Sequence, residues 1–209
     1  MDNYKVGKLL HEGRYTRVCE GIRLSDQVHV ILKILKGEHP SLKQVSQIKH
    51  EFMIMQRLDS PRIVKAYALE MSQNLQALVM EDFGGIPLSK LMIETKLNLA
   101  SALQIGMQAA HALGEIHHKQ IIHKDIKPPN IIINLDSEVV KITDFGISTL
   151  LSREIQQMVN PALLEGTIAY ISPEQTGRMN RPIDYRTDIY SLGVTLRFKS
   201  PSCMKEAIF

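Results

Sequence analysis

Asp125, Lys127 and Asn130 fall within six residues in His123-Lys124-Asp125-Ile126-Lys127-Pro128-Pro129-Asn130, and Asp144 follows in Asp144-Phe145-Gly146. One carboxylate of such a set can orient a hydroxyl and accept its proton. A second carboxylate and an amide oxygen are hard donors suited to Mg²⁺. Held in register, these groups are what phosphoryl transfer requires: a carboxylate at the attacking oxygen, and oxygen ligands on the metal. A polar loop would also contain His-Lys-Asp. With Asn130 five positions after Asp125 and the second triplet fourteen after that, the bland reading loses force.

The elements that must hold these residues are legible in outline. Short β-rich runs occupy residues 4–10, 16–22 and 28–35, and Lys33 stands at the end of the apolar run Val28-His29-Val30-Ile31-Leu32. Val45, Ile48, Phe52 and Met55 then recur at helical steps, with Glu51 among them. Strands are expected at 63–70 and 76–81, and Gly84-Gly85-Ile86-Pro87 reads as a connector. Leu103, Met107, Ala110, Gly114 and His117 mark a second amphipathic helix, expected to turn that stripe inward. A strand-rich part followed by a helical part gives an α+β fold of two lobes with a cleft between them.

Composition bounds the partners. The chain has 209 residues, a net charge of +3 and 44% hydrophobic residues, enough for a real core. Its eight histidines are scattered and no basic stripe suggests nucleic acid. The N-terminal residues lack the apolar run of a signal peptide, and no stretch is long enough to span a bilayer. Cys19 and Cys203 form no metal or disulfide pattern. A cytoplasmic location is the expectation, with no nucleic-acid or membrane partner and the oligomeric state left open.

The order Lys33, Glu51, His123-Lys124-Asp125, Asn130, Asp144-Phe145-Gly146 resembles the eukaryotic-type serine/threonine protein kinases. The resemblance implies ATP and Mg²⁺ as cofactors and a protein substrate bearing Ser or Thr. It implies Lys33 on the nucleotide phosphates, held by Glu51, with Asp125 as base, Lys127 beside the transferred phosphate, and Asn130 and Asp144 on the metal. Thr167 matches a threonine that braces the catalytic aspartate and lysine, and Asp188 an aspartate that caps the next helix and supports the catalytic-loop backbone. Gly13, Val18, Ile31, Met80, Glu81, Phe83 and Ile132 correspond to nucleotide-contacting positions, with Met80-Glu81-Asp82-Phe83 as the hinge. The expected division is an N-lobe at 1–80, the hinge at 81–86 and part of a C-lobe at 87–195.

The run from Ala169 to Arg181, then Ile183 to Asp188, is similar to the N-terminal kinase domain of large proteins that continue into AAA ATPase, GAF and histidine kinase modules. Three departures stand out. Only Gly13 remains of the three glycines in the loop over the phosphates, with His11 and Thr16 at the other two positions. Lys124 stands where an arginine usually precedes the catalytic aspartate, which implies weak dependence on phosphorylation of the activation loop. Residues 196–209 resemble no part of the family, so an incomplete C-lobe with an aberrant tail is expected, from a frameshift or early stop. The alternative function is an inactive or pseudokinase-like module that binds nucleotide or a partner.

Overall fold

The computed structural model describes residues 3–37, 40–72, 75–95, 97–154, 168–177 and 181–197. The N-terminal lobe begins with β1 (Tyr4–Glu12), β2 (Thr16–Arg23) and β3 (His29–Leu35), followed by helix α1 (Leu42–Met55), β4 (Ala66–Ser72) and β5 (Leu75–Glu81). The strands make one antiparallel sheet in the order β1-β2-β3-β5-β4. Sequence and structure differ slightly at Ile63, which forms only an isolated bridge to Ile142, so β4 starts at Ala66. Lys33 lies inside β3, not at its end, paired with Val18 on one side and Leu78 on the other.

Helix α1 starts with a capping box, in which the Ser41 hydroxyl accepts the Gln44 N–H while the Gln44 side chain accepts the Ser41 N–H. Packing of its apolar face on the sheet turns Ile48, Glu51, Ile54 and Met55 inward, which places Glu51 opposite β3.

Beyond β5 come β6 (Ile86–Pro87), α2 (Leu88–Glu94), α3 (Leu99–His118) and β7 (Ile121–Ile122). A 3₁₀ turn at Pro128–Asn130 then leads into the hairpin β8 (Ile131–Asn134) and β9 (Val139–Ile142). The last elements are β10 (Thr149–Leu150), α4 (Leu151–Glu154) and α5 (Arg186–Thr195). Gly85 is required where chain enters β6, because a Cβ there would sit 2.6 Å from Ile132 and 2.8 Å from the Phe83 ring.

The α+β, two-lobed architecture is the expected one, but the face of α3 is not. Ala102, Ile105, Gly106, Ala109, Ala112, Leu113 and Ile116 are buried, whereas Leu103 and Met107 are exposed, with Ala110 and Gly114 beside them. The small residues win the interior because close approach favours them: a Cβ on Gly106 would meet Leu196 at 2.9 Å. One core runs through both lobes, from Ile48 and Met80 to Leu113, Ile126, Ile131, Phe145 and Leu192. The tail from 198 onward lies outside the described residues. Among the described residues no helix is long and apolar enough to cross a membrane.

Candidate active site

Three chain segments converge on the cleft. Lys33 reaches from β3 to both Glu51 carboxylate oxygens at 2.8 Å and to Asp144 Oδ1 at 2.8 Å. The Glu51 side chain is 2% exposed, while that of Asp144 is 39% exposed and open to the cleft. Burial works to raise the Asp144 carboxyl, but the Lys33 ammonium outweighs it and holds the group down at about 2. Burial pushes the Glu51 carboxyl up against the pull of Lys33. Burial would also depress Lys33, yet Asp144 and Glu51 together raise it, so the ammonium stays charged. Of the two carboxylates, Asp144 carries the firmer charge, and it is the one facing solvent.

The loop after β7 arranges the second half of the site. Lys127 Nζ lies 2.6 Å from Asp125 Oδ2. Asn130 donates its amide to the Asp125 carbonyl at 2.9 Å and to Asp125 Oδ2 at 3.2 Å. This fixes the amide so that its nitrogen faces Asp125 and its oxygen does not. Lys124 and Asp144 both adopt positive φ, 69° and 66°. Such conformations cost of order 1–3 kcal/mol each in non-glycine residues and need support from their surroundings.

That support is visible. Asp188, fully buried at the start of α5, accepts the His123 N–H at 2.8 Å and the Lys124 N–H at 2.7 Å, and stands 2.8 Å from His117 Nε2. Gln175 donates to the Lys124 carbonyl at 2.9 Å, itself held by a Ser172–Gln175 capping box. The Phe145 ring, wholly buried, lies 4.7 Å from the His123 ring, and Ser148 donates to the His123 carbonyl at 3.0 Å. Sequence reading anticipated Asp188. It missed Gln175 and His117, although Ser-Pro-Glu-Gln spells a capping box that could have pointed to Gln175.

Of the residues expected to contact nucleotide, Ile31 pairs with Met80 across β3 and β5, and Ile132 pairs with Lys141 and Pro87 in the β6–β8–β9 sheet. The Glu81 N–H is taken by the Lys65 carbonyl, and the Phe83 carbonyl accepts the Asn134 amide at 2.5 Å. The Glu81 side chain is bonded to Lys141 at 2.6 Å, a tie between the end of β5 and β9 that sequence gave no sign of. Glu174 accepts the Thr187 hydroxyl at 2.8 Å. Thr167 lies outside the described residues.

A cavity of about 240 Å³ is lined by Lys33, Glu51, Asp125 and Asp144 from below and by Arg14 and Tyr15 from the β1–β2 loop above. A larger groove of about 770 Å³ lies behind α3 and holds none of these carboxylates, so size does not mark the site here. Among the described residues, no cluster of three or more His, Cys, Asp or Glu side chains is arranged to hold a metal. Mg²⁺ needs no such cluster: it keeps to one or two protein oxygens plus phosphate oxygens and water. The Asp144 carboxylate and the Asn130 amide oxygen fit that requirement.

Comparison with known proteins agrees with this geometry. A family model described as the protein kinase domain matches residues 4–199. The serine/threonine-protein kinase PrkC of Bacillus subtilis is 34% identical over 92% of this chain and 29% of its own length. An Aurora kinase of Candida glabrata is 33% identical over 93% of this chain and 53% of its own length. A Clostridium acetobutylicum protein named as a probable serine/threonine-protein kinase is 32% identical over 93% of this chain. The chain spans 29% of that relative and only about half of the Aurora kinase.

Proposed function

The chain belongs to the protein kinase domain family, and on that premise we propose that it transfers the γ-phosphoryl group of ATP to serine or threonine hydroxyls of proteins. The observation that carries this reading is the joint placement of Lys33, Glu51 and Asp144 in one ion cluster with Asp125 lining the same cavity. Phosphoryl transfer in this family needs both a lysine–glutamate pair and a metal-binding aspartate; the Lys33–Glu51 pair and its contact with Asp144 support assigning those roles to them.

The substrate hydroxyl loses its proton to Asp125 as its oxygen bonds to phosphorus, the bond from phosphorus to the bridging oxygen breaks, and ADP leaves. Asp125 orients the hydroxyl, and Lys127 at 2.6 Å offsets its charge and reaches the incoming phosphoryl. Lys33, held at both sides, meets the α- and β-phosphates as a fixed ammonium rather than a flexible one. Mg²⁺, held by Asp144 and Asn130, would neutralise charge on the phosphate oxygens. The Glu81 carbonyl and Phe83 N–H meet the adenine edge, with Val18, Ile31, Met80 and Ile132 as its apolar walls. Gly13 lets the loop backbone lie over the phosphates.

Lys127 favours serine and threonine over tyrosine. Incubation of the purified chain with Mg-ATP and a general protein substrate, followed by phosphoamino-acid analysis, tests the reading. Phosphoserine and phosphothreonine are expected. Label on tyrosine alone would contradict it.

A further inference from the structure

The loop over the cavity keeps one of the three glycines of the pattern it resembles, and several bonds brace it. The Gly13 N–H donates to the Thr16 carbonyl at 2.9 Å, closing the hairpin. The Lys36 N–H donates to the Tyr15 carbonyl at 2.8 Å, and Lys36 Nζ lies 3.3 Å from the Gly13 carbonyl and 2.9 Å from Glu12. Arg17 closes the base of the hairpin on Glu12 at 3.2 Å. Arg14 is the apex of this braced turn.

The cations around the cavity are unequally committed. Lys33 is shared between Glu51 and Asp144, and Lys127 faces Asp125. Arg14 lines the same cavity, lies with its guanidinium carbon 5.0 Å from the centre of the Tyr15 ring, and pairs with no carboxylate among the described residues. A guanidinium stacked on an aromatic face keeps its N–H donors available at its edge. Its forked donors suit phosphate oxygens.

We infer that Arg14 is a phosphate-contacting catalytic residue, supplied in cis, which stabilises the charge on the phosphoryl group during transfer. It takes over by side chain what the missing glycines would otherwise allow the backbone to do. The inference rests on the proposed phosphotransfer function. In the step itself the phosphorus–oxygen bond to ADP breaks, the bond to the substrate oxygen forms, and the proton passes to Asp125. Arg14 exchanges no atoms and is bonded most strongly to the equatorial oxygens midway.

The test compares the full 209-residue chain with its R14A, R14K and D125A variants. Binding of Mg-ADP is measured with and without aluminium fluoride, which mimics the transferring phosphoryl, and turnover is measured beside it. Wild type should bind more tightly with fluoride present, and R14A should lose at least about tenfold of that gain while Mg-ADP affinity alone stays within about threefold. R14K should recover part of it, and kcat should fall in R14A with little change in KM for ATP. Fluoride-dependent tightening that is absent in wild type, or equal in wild type and R14A, overturns the inference. Equal turnover in wild type and D125A instead removes the phosphotransfer reading, whatever R14A does to analogue binding.

Discussion

Lys33 and Asp144, 111 positions apart in sequence, meet at 2.8 Å across the cleft. That contact joins the sheet of the N-terminal lobe to the loop after β9, and it brings the groups proposed to meet phosphate and metal into one cluster.

Removing the lysine should cost stability as well as activity. Lys33→Met leaves Glu51, almost wholly buried, without its cation. Breaking a buried pair from one side costs about 3–5 kcal/mol. Urea melts should show a loss on that scale, and the double variant K33M/E51L should recover part of it because no carboxylate is then left fully buried without a cation, Asp144 being open to the cleft.

Acid should act through Asp144. Its carboxyl is held below its ordinary value of 3.8, at about 2, so the ionised form is favoured in the folded state. The resulting stabilisation is present above about pH 3.8 and is lost as pH falls through about 2. The melting temperatures of wild type and D144N should therefore differ by a constant amount at neutral pH, and the difference should shrink between those two values.

Asp188 supports the catalytic loop from beneath. Asp188→Ala leaves the His123 and Lys124 N–H groups without their acceptor in a buried site. Each such loss costs about 1–3 kcal/mol. Denaturant titration should show a destabilisation of about 2–5 kcal/mol, with D188N milder because its amide oxygen still accepts one bond.

Lys124 offers a point charge where a guanidinium fork would grip a phosphate. Thr149→Glu and Ser152→Glu should change phosphotransfer by no more than about fivefold, the scale of an exposed ion pair. Ser148 is unsuited to this test, since it is buried and its hydroxyl and carbonyl bond His123 and His50. A large activation by either glutamate would show that the loop does respond to phosphate.

The site was far more legible than its supports. Asp125, Asn130 and Asp144 are recognisable because their chemistry forces type and spacing within a short stretch. Lys33 and Glu51 lie on elements whose periodicity is plain. By contrast, the Glu81–Lys141 tie and the His117–Asp188 contact join positions 60 and 71 apart, and no local pattern encodes such pairs. The inward face of α3 was misread because both faces of that helix are apolar. Periodicity shows that a stripe exists, but packing against Leu196 and β9 decides that Ala102, Gly106 and Ala109 go inside rather than Leu103 and Met107.

The proposed phosphotransfer turns on Asp125. Its most direct test is the rate of phosphate incorporation from Mg-ATP into a protein substrate by wild type and D125A, prepared identically and matched for thermal stability. A fall of at least about a hundredfold is expected, the lower end of what a positioned general base contributes. Equal incorporation by the two proteins would contradict it.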